Sequence, residues 1–427
     1  MKALWRSLSL STLAVLLSCA SVTGRPSDAE GHLDERIRQA ATLVWLDDLA
    51  GARKQLSGVL EEAPGNPSAL VLQACLLLEQ GDLEAAGQTV KRLDAVAPLQ
   101  PETHILQELL KQRRRTPQPG WSEALRRAWW DAGTRNLSEE GLPPLLTADT
   151  EALSPTVWAR TQSADDRFMA VLADSASDAQ VRWIADHVSE LQDPDLLISA
   201  LEYFQPREGP LPEVRARARE VLRARLAPVA AVEARESQLP LLLLLEGAPR
   251  DALLTREELL ALERIAALPS YRSLPVSQVY ADAERRLKAV GVPHPGNAPF
   301  MVAVTSLHTD APFWLFKRVE ASKDRLSSEE RMRLGRSVWM LGGRVAAGTT
   351  LLEHQLGFRL IEQGAGLMGD EGQQALAASE LRKGYAVSAA SSQLSVDRWP
   401  LPSLHREWLK ASLANEWEHL NLLLVEP

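Results

Sequence analysis

Two stretches decide the fold: "WLDDLAGARKQLSGVLEEAPGNP" (Trp45–Pro67) and "LEQGDLEAAGQTVKRLDAVAPLQP" (Leu78–Pro101). Shifted by 34 positions, the first falls on the second. Asp48 meets Asp82, Leu49 meets Leu83, Ala52 meets Ala86, Leu56 meets Val90, Val59 meets Leu93 and Pro64 meets Pro98; upstream, Leu43 meets Leu77. Each position has a physical reason. Small Ala52 and Ala86 let two helices approach closely. Leu56 with Val59, and Val90 with Leu93, fill the space between them. Pro64 and Pro98 end the second helix of each unit, because proline lacks the N–H that would continue it. Gly81 supplies the turn inside the second unit, and Asp47, a weaker turn residue, holds that place in the first. The spacing predicts helical hairpins stacked over residues 32–115. The helix of "PETHILQELLKQRRR" (Pro101–Arg115) caps the stack.

A period of 34 residues with Ala, large apolar residues and Pro at these offsets resembles the tetratricopeptide repeat. The resemblance implies that the inner face of each first helix lines a concave groove. Carried over position by position, that face is Asp34, Ile37, Ala41, Val44 and Trp45, then Ser68, Val71, Cys75, Leu78 and Glu79. Its floor is apolar and suits an extended or helical peptide. The alternative is a face covered by the chain's own helices, since two repeats alone need neighbours to close their ends.

The amino terminus has the three-part layout of a secretory signal. "MKALWR" supplies two positive charges, "LSLSTLAVLL" (Leu8–Leu17) a short apolar stretch, and "LLSC" (Leu16–Cys19) follows at once. "LLSC" resembles a bacterial lipobox. That resemblance implies a signal peptide over residues 1–18, cleavage before Cys19, and a diacylglycerol group on its thiol. Ala20 after the cysteine implies the outer rather than the inner membrane. Several acyl chains hold a protein firmly at a bilayer, at about 0.8 kcal/mol per buried methylene. Residues 19–31, small and polar with Gly and Pro, read as a flexible tether. A plain cleaved signal with an incidental Cys19 is the other reading. If Cys19 is lipidated, Cys75 has no partner in the chain, and its apolar surroundings, "ALVLQACLLLEQG", suggest a packed small hydrophobe.

Composition excludes several classes. The chain of 427 residues is 45% hydrophobic and 24% charged, as in ordinary globular proteins, and is long enough for two or three domains. Its net charge is -9, and residues 1–18 carry Lys2 and Arg6 with no acid, so a cleaved chain is more acidic still. Such a chain is a poor binder of nucleic acid. The basic cluster Lys111–Arg115 ends a predicted helix, where cations complement the dipole. The longest later apolar run, "LPLLLLLEG", is too short to span a membrane and reads as buried core.

Beyond the repeats the chain reads as helix after helix, with almost no strand signal. "RTPQPGW" (Arg115–Trp121) marks a break, and residues 121–291 form a helical segment. "VRWIA" (Val181–Ala185) recurs as "VRARA" (Val214–Ala218), a loose resemblance to HEAT-type repeats. Capping boxes are expected at Ser177 with Gln180, Thr255 with Glu258, and Ser327 with Glu330; Asp193 caps a helix with Pro194 at its first position. "VPHPGNAP" (Val292–Pro299) is a second expected linker, and residues 299–427 a C-terminal helical bundle. Small residues in "MLGGRVAAGTTLLEHQLGFRLIEQGAGLMG" point to close helix contacts. The expected fold is all-α: a tetratricopeptide-like N-terminal unit, HEAT-like or irregular helical segments, then the bundle.

Catalytic motifs are missing from the sequence. Glu416 and His419 have an ExxH spacing, but a helical wheel turns His419 toward solvent, and a bundle metal site needs a second such pair. "GAGLMG" is similar to a segment of lytic transglycosylases, yet the chain's Glu-Ser pair, Glu236 with Ser237, lies far upstream and Gly369 replaces the glutamine. His354 sits among Leu351, Phe358 and Ile361 as a core histidine. Adjacent Trp129 and Trp130 point to different faces. No cofactor or metal is implied. The sequence as a whole is similar to a tetratricopeptide-repeat lipoprotein of a Gram-negative bacterium. That resemblance implies lipid anchoring through Cys19 at the periplasmic face of the outer membrane, envelope proteins as partners, and a scaffold rather than an enzyme. A cell-wall-acting enzyme and a structural subunit of an envelope machine are the alternatives.

Overall fold

The computed structural model describes residues 28–137, 153–173, 176–205, 211–232, 235–272, 275–292, 298–307 and 309–427. Cys19, the signal segment and most of the tether lie outside them. Among the described residues all regular structure is helical, with one isolated parallel bridge between Glu236 and Ser270, so the fold is all-α. No described helix is long and apolar enough to cross a membrane.

The described residues divide into two compact units: 28–137 with 386–427, and 153–385. This differs from the expected segments. The proposed bundle 299–427 is split, and its last part belongs with the repeats, where Trp399, Leu401 and Leu404 are fully buried. The Pro/Gly stretch Arg115–Trp121 is not a boundary either. The Arg113 guanidinium donates to the Pro119 carbonyl (2.7 Å) and the Gln118 amide to the Arg113 carbonyl (2.9 Å), which tie it to the helix before it. Both helices flanking Val292–Pro299 fall inside the second unit.

The first unit opens with α1 (Asp28–Trp45) and α2 (Leu49–Glu62), then α3 (Pro67–Glu79) and α4 (Leu83–Val96), then α5 (Pro101–Arg113) and α6 (Trp121–Asp131). Helix α1 starts inside the expected tether. Each pair packs as an antiparallel hairpin, and the first two match atom for atom. Asp48 and Asp82 cap α2 and α4 by accepting from Gly51 N–H (2.8 Å) and Ala85 N–H (3.0 Å). At the turns, Asp47 N–H donates to Val44 O and Asp48 N–H to Leu43 O; Gly81 N–H donates to Leu78 O and Asp82 N–H to Leu77 O. This is the double closure that follows a left-handed residue at a helix C-terminus. Gly81 has φ +76° and Asp47 has φ +63° at the equivalent place. Ala52, Leu56 and Val59 are buried, as are Ala86, Val90 and Leu93. The period runs on to α5, whose Pro101 follows Pro67 by one repeat. The second helix of that third pair is α6.

In the second unit, α7 (Leu153–Arg160), α8 (Ala164–Ala173), α9 (Asp178–His187) and α10 (Pro194–Tyr203) lead to α11 (Pro212–Val232) and α12 (Gln238–Leu245). The arginines of α11 explain why it is not simply amphipathic. Arg215 donates to Tyr203 O (2.8 Å), Arg225 to Val188 O and Leu191 O (both 2.7 Å), and Arg219 to Glu246 O (2.8 Å). One helix thus satisfies orphan carbonyls beyond the ends of three others, where cations are also favoured by the dipole. The leucine run in α12 is core: Leu239, Leu241, Leu242 and Leu245 are buried. Next come α13 (Arg256–Ala266), α14 (Val276–Ala289), α15 (Ala298–Thr305) and α16 (Asp310–Ser322). The expected capping boxes are present at Ser177, Thr255 and Ser327, and Asp193 caps α10. A fourth box, Thr350 with Glu353, was not expected.

The tightest pairing is between α17 (Ser328–Ala346) and α18 (Leu351–Met368). Glycines face each other across it. A Cβ on Gly335 would stand 2.8 Å from Gly364 O, and one on Gly342 would stand 2.7 Å from Gly357 O. The small residues in this stretch let the two backbones touch. Helix α19 (Glu371–Leu394) then carries the chain back to the first unit, which ends with α20 (Pro402–Asn421).

Candidate peptide-binding groove

Trp45, Glu79 and Arg113 hold the same position in α1, α3 and α5, at successive repeats of 34 residues. They form a row: one aromatic, one acid, one base. The start of α20 engages that row. The imidazole of His405 meets the Trp45 ring edge-on at 4.4 Å between centroids. Glu79 accepts from Ser403 N–H (3.1 Å) and from the Ser403 hydroxyl, and Arg406 stands 3.6 Å away. Burial lowers the Arg113 pKa, with the carboxylates of Glu407 and Glu79 opposing it. Its guanidinium lies over the Trp121 ring, 4.0 Å from the centroid.

Helix starts explain the geometry. Helix α20 begins after Leu401, which offers no side-chain cap, and α6 begins after Gly120, which has no side chain to offer. Both are capped from elsewhere. Glu79 takes the Ser403 N–H, and Glu407 takes Trp121 N–H (2.7 Å) and Ser122 N–H (3.1 Å). Carboxylates at helix N-termini are favoured by the unpaired N–H groups and by the dipole. His405 donates to Trp399 O (2.9 Å), and burial lowers its pKa to about 4.

The ten residues expected to line the groove are distributed as follows. Ile37, Ala41, Val44, Val71, Cys75 and Leu78 are buried; Ser68 is half-buried, and Asp34 is exposed. Trp45 and Glu79 are half-buried and are the two that meet α20. Burial pushes the Cys75 thiol far above its usual range, with Glu79 adding to the effect. Arg113 was missed by the sequence reading, although adding one repeat to Glu79 reaches it. The partners from the carboxyl end carry no local sign of their role.

Residues 46–110 match the tetratricopeptide repeat family, which covers the second helix of the first pair through most of α5. Repeats of this kind mediate protein–protein interaction. No curated protein and no solved structure matches the chain.

The residues weighed for chemistry have structural surroundings. Helix α20 is interrupted at Asn415 (φ -161°, ψ 95°), whose side chain accepts from Glu418 N–H. The interruption invalidates a continuous helical wheel. His419 is therefore half-buried, its ring edge-on to Trp408 at 4.4 Å, rather than turned to solvent. Ser237 is buried, and its hydroxyl donates to Ser270 O. Glu353 is buried against Arg272 (2.9 Å) and closes its own capping box. His354 is buried beside Phe358, and burial lowers its pKa to about 4. Trp129 is buried and donates to Arg135 O, while Trp130 is half-buried. Among the described residues, no group of three or more His, Cys, Asp or Glu is placed to hold a metal ion.

Proposed function

We propose that this protein is a non-enzymatic scaffold of the bacterial envelope, lipid-anchored through Cys19 at the periplasmic face of the outer membrane, which docks an envelope protein and raises its local concentration near the membrane. The observation that carries the binding role is the match of residues 46–110 to tetratricopeptide repeats, together with the row of side chains at repeat spacing. The lipobox-like "LLSC" motif supports the anchor. A tether converts docking into a near-intramolecular event and so strengthens weak contacts.

Cross-linking and affinity purification from detergent-solubilised membranes tests this, with wild type and Cys19→Ser side by side. The expected result is a protein partner recovered stoichiometrically with wild type and depleted with Cys19→Ser, which itself leaves the membrane fraction. A wild-type protein that is soluble and brings nothing down overturns both the anchor and the scaffold.

A further inference from the structure

We propose that the row Trp45–Glu79–Arg113 is a recognition site for the start of a partner's helix, and that the chain's own segment Pro400–Glu407 holds it as an exchangeable internal ligand. This rests on the scaffold reading above and adds the partner's chemistry and the resting state of the site.

The contacts have a chemical logic that another chain could reproduce. Glu79 receives a first-turn backbone N–H and a hydroxyl. Trp45 receives a flat ring two residues on, and an acid four residues on accepts the N–H of Trp121, the residue whose ring lies beneath the Arg113 guanidinium. The fitting partner has a serine or threonine in the first turn of a helix, an imidazole or aromatic ring two residues later, and a carboxylate two after that. Its helix start lacks a cap of its own, as α20 does. The groove supplies the missing carboxylate.

The internal occupant is also attached in a way that suits release. Helices α1 to α6 are contiguous in sequence, whereas the occupant returns only after the whole second unit. Between α19 and the docked segment stands Ser395, with φ +43° and ψ 60°. A non-glycine residue in that left-handed region is strained, and opening the hinge relieves it. Trp399, Leu401 and Leu404 are buried, so the closed form is the resting form. A partner then sees an affinity reduced by the fraction of molecules that are open.

The test uses a fluorescent peptide of the chain's own residues 396–427 as probe. A full-length protein carrying a protease-cleavable insertion after Ser395 is cut and mixed with the probe. The proposal expects the cut segment to exchange, so that probe anisotropy rises after cleavage and stays low before it. A probe with Ser403→Ala and Glu407→Ala should bind at least tenfold more weakly, and Glu79→Gln in the protein should do the same. In a second measurement, uncut Leu404→Asp protein, checked for retained helicity by circular dichroism, should bind the probe at least tenfold more tightly than wild type. A cut segment that neither leaves on dilution nor exchanges over a day would overturn the proposal and make the segment permanent core. If exchange fails while the membrane purification still recovers a partner, this site is wrong and the scaffold stands. If exchange succeeds, the site stands whatever that purification recovers.

Discussion

Glu79 caps the start of α20 from 324 residues earlier in the chain than Ser403, accepting both the N–H and the hydroxyl of that residue. Its side chain is largely buried, so removing it strands polar groups rather than merely losing a contact. Glu79→Ala should lower the stability of the repeat unit by about 1–3 kcal/mol, the range of a lost cap plus an unsatisfied buried donor. Ser403→Ala should cost less. The double variant should fall short of the sum, since the two residues share one interaction. Urea unfolding followed by circular dichroism measures all three, and strict additivity would show that the pair is not coupled.

The two repeat turns make an internal comparison. Asp47 and Gly81 adopt the same left-handed conformation one repeat apart, but only one of them is glycine. A non-glycine residue there costs roughly 1–2 kcal/mol. Asp47→Gly should therefore be close to neutral or stabilising, by up to about 1 kcal/mol after the added freedom of the unfolded chain is subtracted. Gly81→Ala should destabilise by about 1 kcal/mol, although a Cβ there meets nothing within 4 Å. Equal effects of the two changes in denaturant titrations would contradict the backbone argument.

Adjacent glycines in α17 should behave in opposite ways. A Cβ on Gly342 would stand 2.7 Å from Gly357 O and 2.8 Å from Ile361 N, whereas one on Gly343 meets nothing within 4 Å. Gly342→Ala must push two helix backbones apart, and should cost about 1–3 kcal/mol as overpacking does. Gly343→Ala removes a flexible residue from an exposed helix position and should stabilise by about 0.5–1 kcal/mol. Thermal melts of the two variants should move to opposite sides of wild type.

Local features were legible because local physics sets them. The three capping boxes and the Asp193–Pro194 helix start depend on residues within a turn of one another, and the 34-residue period shows because one hairpin's pattern of small, large apolar and proline positions is repeated in the next. The domain layout was not. Pro and Gly between Arg115 and Trp121 look like a linker, but Glu407 reaches the N–H of Trp121 from the far end of the chain. That contact leaves no mark near either residue. His419 was misplaced for a different reason: the wheel assumed an unbroken helix, and Asn415 breaks it by taking an extended conformation and capping the turn after it. Two of the three residues of the groove row, Trp45 and Glu79, were found from the repeat register. Arg113 lies one repeat further on and was within reach of the same register, whereas the segment that faces the row required the fold.

His405 makes closure of the groove sensitive to acid. Its ring packs edge-on to Trp45 and donates to Trp399 O, and burial lowers its pKa from the usual 6.5 to about 4. The folded state therefore favours the neutral imidazole, while the unfolded chain takes up a proton near pH 6.5. The contribution of His405 is complete above about pH 6.5, declines as pH falls toward about 4, and is lost below that. At 1.36 kcal/mol per pKa unit the loss is on the order of 3 kcal/mol. Asp397 works in the opposite direction. Burial raises its pKa, so the folded state is favoured as that carboxyl becomes protonated in acid. Comparing wild type with His405→Gln at each pH separates the two, because the variant keeps Asp397. Urea unfolding between pH 7.5 and 4.5 should show wild type losing stability faster than His405→Gln, with the curves converging toward the acid end. Parallel curves would mean that His405 keeps its ordinary pKa and that the groove closes independently of pH in this range.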